Sequence, residues 1–329
     1  MTGRAKVAVI GGGAWGTALA QTMIVAGHDA LLWARDRATV EAIARHGENR
    51  RYLPGIVLDR RLKATDDLDA ALTGASHILV VVPAQTLRDL FATLSGRIAP
   101  AVPIVICAKG IEASSGLLPS AIAAEFFPEN TIGALSGPSF ARDVALALPT
   151  AVTVAVRDTV IAKELAAFLS APHFRCYSSD DLTSVELGGA LKNVMGIGAG
   201  AVSGAGLGAS ALAAMVTRGF VELRRVGAAL GGRPETLMGL SGLGDLILTC
   251  GSEQSRNFRY GQALGRGEST AGLPLAEGVA TAAIAAKIAV GRGIEAPIIS
   301  AVSAFLDGRT TVSEATRTLL SRPLKSEDA

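Results

Sequence analysis

Two charged residues stand in surroundings that do not favour charge, and they are where chemistry is to be looked for. Lys192 lies in the small, apolar stretch Val185–Met195, whose only other charged residue is Glu186. Burial lowers a lysine pKa toward neutrality, the condition for a general acid or base, although the side chain could also snorkel to solvent or pair with Glu186. Asp245 alone interrupts the uncharged run GLSGLGDLILTC, residues 239–250. A carboxylate there needs a cation. Lys192 is the candidate partner, with capping of a helix that begins after Gly244 as the alternative. Shortly beyond lies Ser255-Arg256-Asn257, whose guanidinium can grip a phosphate through two parallel hydrogen bonds while Ser and Asn add neutral ones. Lys109 sits between an apolar strand and a glycine, where an ammonium either reaches an anionic ligand or simply reaches water. Ser136-Gly137-Pro138-Ser139 offers hydroxyls and free N–H groups beside a fixed proline turn.

The elements that would position these groups begin with VAVIGGGAWG, residues 7–16, an apolar strand that runs into Gly11-x-Gly13-x-x-Gly16 and then a helix-forming segment. This is the setting of a dinucleotide-binding turn: Gly11 for the sharp turn, Gly13 for close approach to a pyrophosphate, Gly16 for helix–strand packing, and the helix N-terminus for the phosphates. A second strand over Asp29–Trp33 ends at Arg35 and Asp36, about 20 residues past the last glycine, where the ribose is read. An acidic residue there bonds the 2′-hydroxyl of NAD, whereas an arginine accommodates the 2′-phosphate of NADP. The arginine favours NADP, with NAD the alternative; ordinary solvated charges are the plainer reading.

Residues 76–83 and 102–110 are β-branched runs ending in Pro or Gly and predict buried parallel strands; 131–137 and 150–156 extend the sheet. Helical spacing over 38–46, 86–98 and 160–169 alternates with them, as a doubly wound α/β sheet requires. From about Leu182 the strand signals stop and Ala, Gly and Leu recur at helical spacing. The prediction is a dinucleotide-binding domain over 1–181 and an all-helical substrate domain over 182–329, with a frayed polar tail from Ser321.

Charge is nearly balanced, 31 basic against 29 acidic residues, so a nucleic-acid partner has no electrostatic support. The three cysteines, Cys107, Cys176 and Cys250, have no metal-ligand spacing and read as buried thiols of a reducing, cytoplasmic compartment. No signal peptide is evident. Residues 194–217 carry no charge and are long enough to span a bilayer, but six of them are glycine; a buried helix that permits close helix contact is the better reading.

Taken together and in this order, GGGAWGTALA, AKGIE, LSGPSFA, GGALKNVMGIGAG, GLGDLILTC and QSRN resemble bacterial NAD(P)-dependent glycerol-3-phosphate dehydrogenase, from Val7 to about Gly278. The resemblance implies a Rossmann-type N-terminal domain, a helical C-terminal domain, a cleft between them, NADP or NAD as cofactor, a small phosphorylated substrate and a homodimer. It implies interconversion of dihydroxyacetone phosphate and sn-glycerol 3-phosphate, in service of glycerophospholipid synthesis. By the same resemblance, Lys192 is the proton donor and acceptor, and Lys109 lies between cofactor and substrate. Asp245, Ser255, Arg256, Asn257, Gly137 and Ser139 match substrate positions. Gly11, Gly13, Ala14, Trp15, Gly16, Arg35, Lys109, Ala141, Arg256, Leu275 and Glu277 match cofactor positions. The chain departs from some relatives at Gly278-Val279-Ala280-Thr281, where an aromatic residue and an asparagine stand in those proteins. The rivals are a β-hydroxyacid dehydrogenase, which needs a carboxylate site, and a non-catalytic NAD(P) sensor.

Overall fold

The computed structural model describes residues 5–323, so most of the tail expected from Ser321 lies outside the described residues. Eight strands form one sheet: β1 (Lys6–Ile10), β2 (Asp29–Trp33), β3 (Lys63–Thr65), β4 (His77–Val80), β5 (Ile104–Ile106), β6 (Ile132–Ser136), β7 (Thr150–Val156) and β8 (Phe174–Ser179). Their order is β3-β2-β1-β4-β5-β6-β7-β8. Every neighbouring pair is parallel except β6 and β7, which run antiparallel with Ser136 opposite Thr153.

Both faces of this sheet are covered, which is why its central strands are apolar throughout rather than alternating. In β1, Val7 and Val9 pack on one side with Leu19 and Met23 of α1 (Ala14–Val25), whereas Ala8 and Ile10 pack on the other. The first side is shared by helix α2 (Arg37–His46) through Ile43 and, further along the chain, by α6 (Ala141–Ala145) and α7 (Thr159–Leu169). The second is covered by α3 (Leu68–Leu72), α4 (Leu87–Leu94) and α5 (Pro119–Phe126), with Phe91, Leu94 and Ile122 fully buried. The expected strands over 76–83 and 102–110 are shorter than their apolar runs. The chain leaves the ladder after Val80 and Ile106, and the freed ends carry Pro83 and Lys109 into loops.

From Leu182 onward the described residues form no strand. They form α8 (Leu182–Gly204), α9 (Ala209–Ala229), α10 (Pro234–Leu237), α11 (Asp245–Cys250), α12 (Arg256–Gly265), α13 (Glu277–Gly291), α14 (Pro297–Leu306) and α15 (Val312–Leu320), with a π-helical turn at Leu240–Gly244. The α/β sheet followed by helices is the expected fold class. The centre is α8, in which every residue from Ser184 to Ala201 is buried.

Its glycines explain how so long a helix is surrounded. A Cβ on Gly200 would lie 2.0 Å from the Phe258 carbonyl oxygen, and one on Gly204 would lie 2.2 Å from that of Gln262. On the facing helix α12, Gly261 and Gly265 would meet the Ile197 and Ala201 carbonyls at 2.0 and 2.3 Å. Small residues one turn apart on both helices therefore bring the two backbones into contact. The uncharged run 194–217 is split between α8 and α9 by Gly206 and Gly208, both with positive φ, and no helix among the described residues is long and apolar enough to cross a membrane.

Replacing Gly200 or Gly261 by valine must force these backbones apart. Each substitution should lower unfolding free energy by roughly 2–3 kcal/mol or more, read as a shift of the urea midpoint; an unchanged midpoint would contradict the contact.

Candidate active site

The carboxyl ends of β5 and β6 meet α8 through Lys109 and Ser136, and the chemistry collects there. Lys192 Nζ donates to Asp245 Oδ1 at 2.8 Å and to Thr249 Oγ1 at 2.7 Å. Lys109 Nζ, three residues past β5, donates to Asp245 Oδ2 at 2.6 Å and to the Gly137 carbonyl at 3.1 Å. One carboxylate, 1 % exposed, thus takes an ammonium on each oxygen. Asp245 opens α11 but does not cap it; its oxygens are spent on the lysines. Burial pushes its carboxyl up, and the two ammoniums overcome this and hold it below the usual range. Burial likewise depresses the Lys192 ammonium; the Asp245 charge opposes the shift without cancelling it.

Glycine again sets the approach. A Cβ on Gly189 would lie 2.7 Å from Ser136 Oγ and 3.3 Å from Lys109 Cγ, and one on Gly196 would meet Thr249 Cγ2 at 2.6 Å. The face of α8 that carries Lys192 is therefore kept low against β6, Lys109 and α11. One residue on, Asn193 Nδ2 donates to the Lys109 carbonyl at 3.2 Å, its Oδ1 accepts from Asn257 Nδ2 at 2.8 Å, and Asn257 Oδ1 accepts from Gly278 N at 3.0 Å. This chain of amides ties β5, α8, α12 and α13 together. Glu277, at the start of α13, accepts from Ala84 N at 3.1 Å and so bridges to the loop after β4; burial raises its carboxyl pKa.

The remaining sequence-selected residues are placed unevenly. Ser139 Oγ donates to the Gly137 carbonyl at 3.0 Å. Gly137 itself has φ +145°, and a Cβ there would strike Val152. Ser255 is buried as the N-cap of α12, accepting from Phe258 N at 3.2 Å, so its hydroxyl has a structural task already. Arg256 is exposed at the first position of that helix. Ala141 starts α6, and Leu275 is 57 % exposed. Among the cysteines, Cys107 and Cys250 are buried, but Cys176 on the edge strand β8 is only half-buried, a correction to the expectation of three buried thiols.

The residues around β1 fit a dinucleotide. Gly11 has φ +131°, a Cβ there would lie 2.4 Å from the Val81 carbonyl oxygen, and a Cβ on Gly16 would lie 1.8 Å from the Gly11 carbonyl oxygen. Around Gly13, by contrast, nothing lies within 4 Å of the point a Cβ would occupy, which leaves the backbone at the start of α1 approachable. Trp15 Nε1 is buried without a partner among the described residues. Gly11, Gly13, Ala14 and Gly16 would cradle the diphosphate, and Arg35, exposed beyond β2, would stand at the ribose end.

Comparison with known proteins decides the family. Models of the N-terminal and C-terminal parts of NAD-dependent glycerol-3-phosphate dehydrogenase match residues 6–162 and 181–317. The chain belongs to the NAD-dependent glycerol-3-phosphate dehydrogenase family. It is 64 % identical over 322 residues to glycerol-3-phosphate dehydrogenase [NAD(P)+] of Mesorhizobium japonicum, covering 98 % of this chain and 94 % of the relative. The corresponding protein of Chelativorans sp. is 62 % identical, with 98 % of each chain covered. Among solved structures, glycerol-3-phosphate dehydrogenase from Coxiella burnetii superposes with a TM-score of 0.92 at 36 % identity, over 97 % of this chain and 99 % of that one. A PanE/ApbA family ketopantoate reductase from Ralstonia eutropha shares the fold alone, at 17 % identity and a TM-score of 0.62, over 94 % of this chain and 99 % of that one.

Within this family member, sequence reasoning overlooked Thr249, which takes a hydrogen bond from the proposed proton carrier. The signal was its spacing of four from Asp245, one helical turn along the same face. It also overlooked Gly12, where a Cβ would lie 2.3 Å from that of Ala34. The pairing of Lys192 with Glu186 does not occur: Glu186 accepts from Ser120 N at 2.7 Å and Ser120 Oγ at 2.5 Å, satisfying the start of α5.

Burial raises the Glu186 carboxyl pKa from 4.5 to about 7. Its folded-state pKa thus exceeds the unfolded one, and the associated stability is full below pH ~4.5 and lost as pH rises through ~7, by on the order of 3 kcal/mol. Glu186→Gln should flatten this part of the stability–pH curve, measured by denaturant unfolding from pH 4.5 to 8; an unchanged slope would exclude Glu186 as its source.

Proposed function

We propose that the chain interconverts dihydroxyacetone phosphate and sn-glycerol 3-phosphate using NADPH or NADH, with Lys192 as the group that exchanges the proton. The observation that carries this reading is the buried Lys192–Asp245–Lys109 cluster at the carboxyl ends of the strands, where ligands of doubly wound sheets collect. In this reading residues 1–181 hold the dinucleotide and 182–329 supply the proton carrier and the phosphate grip.

When bound, the nicotinamide supplies a hydride to the carbonyl carbon. As that carbon is reduced, negative charge gathers on its oxygen, and Lys192 gives up one proton to make the hydroxyl. Asp245 and Thr249 hold the ammonium in one position, and the depressed pKa eases release of the proton. In oxidation the neutral amine of Lys192 takes the hydroxyl proton. Lys109 contributes a second cation, so the cluster keeps a positive excess toward an anionic substrate. Arg256, exposed at the N-terminus of α12 where the helix dipole also favours anions, binds the phosphate, with Asn257 beside it and Ser255 shaping the turn.

NADP is the favoured cofactor: Arg35 is exposed at the ribose end, whereas Asp36 is occupied as the cap of α2. We place the activity in the cytoplasm as a supplier of glycerol 3-phosphate for glycerophospholipids; the free state of the three cysteines supports that compartment. A homodimer through the helical part is the assembly we expect, supported by the apolar character of that part and by the family resemblance.

Oxidation of NADPH or NADH on adding dihydroxyacetone phosphate, followed by absorbance, tests the reaction; absence of oxidation would reject it. Lys192→Ala should lower kcat by roughly 10²–10⁴-fold while cofactor affinity stays. With Lys192 intact, the oxidative rate should rise with pH, and the reductive rate fall, through a pKa below the ordinary lysine value. For Arg256→Ala, KM for dihydroxyacetone phosphate should rise about 100-fold, with turnover of unphosphorylated dihydroxyacetone unaltered. An equal loss on both substrates would assign Arg256 elsewhere.

A further inference from the structure

Asn49 lies in the loop that follows α2, and it is 0 % exposed. A fully buried amide is retained only if its hydrogen bonds are met. Here they are met by the glycine turn. Asn49 Nδ2 donates to the Gly12 carbonyl at 2.9 Å and to Thr17 Oγ1 at 2.7 Å, while Asn49 Oδ1 accepts from Tyr52 N at 3.3 Å. Thr17 Oγ1 in turn donates to the Gly13 carbonyl at 2.9 Å, so each donor and acceptor in the group has one consistent role.

These bonds fix more than the loop. A peptide unit is planar, and no peptide bond among the described residues is cis, so its carbonyl and its N–H point to opposite sides. Turning the Gly12 carbonyl inward to Asn49 therefore turns the Gly13 N–H outward. That N–H has no hydrogen-bond partner among the described residues, and nothing stands within 4 Å of the position of a Gly13 Cβ. Thr17, by holding the Gly13 carbonyl from its backbone N at 3.0 Å and its hydroxyl, does the same for the next peptide. The opposite flank of the turn is closed by Ala34 against Gly12. With three glycines in a row, the backbone would otherwise sample several orientations of these peptides.

We propose that Asn49 is a positioning residue for the cofactor diphosphate: by holding the Gly12 carbonyl inward it keeps the Gly13 N–H aimed at the bound phosphate. This rests on the reading that the turn after β1 holds the dinucleotide. The bound group is the diphosphate common to NAD and NADP, so the role is indifferent to which of them is used.

The test is calorimetric binding to the full-length protein, without substrate, of two probes. ADP-ribose carries the diphosphate and lacks nicotinamide; adenosine 2′-monophosphate lacks the diphosphate. Asn49→Ala should weaken ADP-ribose roughly tenfold or more and leave adenosine 2′-monophosphate binding as it was. Thr17→Val, a near-isosteric change that removes the bridging hydroxyl, should give a smaller loss of the same kind, and it keeps the proposal testable if Asn49→Ala does not fold. Unaltered ADP-ribose affinity in both variants, or an equal loss of both probes, would overturn the proposal while leaving the cofactor reading in place. Failure of the unaltered protein to bind ADP-ribose would remove the cofactor reading and the proposal with it.

Discussion

A carboxylate buried between two ammoniums cannot exist in any one part of this molecule. Asp245 belongs to a helix of the second half, Lys192 to the long helix α8, and Lys109 to a loop at the end of strand β5. Withdrawing an unpaired carboxylate from water costs several kcal/mol, and the attraction of a partner offsets this only when geometry and further hydrogen bonds are in place. The Gly137 carbonyl and the Thr249 hydroxyl provide those further bonds. The cluster therefore exists only when the sheet and the helices are docked in one arrangement, and in that arrangement two ammoniums share a single carboxylate.

Docking at such short range is the work of α8. Glycine in a helix interior costs roughly 1 kcal/mol relative to alanine, and this helix carries it repeatedly. Each glycine coincides with an approach that a Cβ would crowd: Gly188 against the Ser241 carbonyl of the π-helical turn, Gly189 against Ser136 and Lys109, Gly196 against Thr249, Gly198 against Met215 of α9, and Gly200 and Gly204 against α12. The consequence for chemistry is positional. Lys192 and Asn193 project from a helix held by backbone contact with the π-helical turn and α12 and by short contacts with the Ser136, Lys109 and Thr249 side chains, so the ammonium has little freedom to leave Asp245 and Thr249.

What could be read without coordinates divides along the same physical line. Apolar strands, the glycine turn and the helical second half were legible because burial on both faces and backbone geometry leave a local imprint on composition. Lys192 and Asp245 were legible for the opposite reason, as charges where charge is unfavourable. The short strand β3 and the strand β8, with Arg175, Tyr177 and Ser178 exposed, were not legible. Both are edge strands, each with a single paired neighbour, so the burial that marks a central strand is missing. Ser255 was legible as polar but not as a cap, since a hydroxyl before a helix serves a phosphate and an N–H group equally well. Asn49 left no imprint, because a buried amide acquires its meaning only from partners far away in the chain, and Thr249 left only its spacing of four from Asp245, since its other partner, Lys192, is distant in the chain.

Asp36 shows how a local structural need narrows the choice of cofactor. At the end of β2, a carboxylate is the residue type that reads the ribose 2′-hydroxyl of NAD. Its oxygens here accept from Ala38 N at 3.2 Å and Thr39 Oγ1 at 3.0 Å, which start helix α2, and from Arg51 at 2.9 Å. The Thr39 hydrogen bond, then Arg51, hold this carboxyl below its usual pKa, so it stays ionised in those roles. Turning it toward a ribose would leave the first turn of α2 without its cap and Arg51 without its partner. Arg35, next to it and without such obligations among the described residues, is the group free to meet a ligand there, and a guanidinium meets a phosphate better than a hydroxyl. The proposed preference for NADP rests on which of two adjacent side chains the fold has already used.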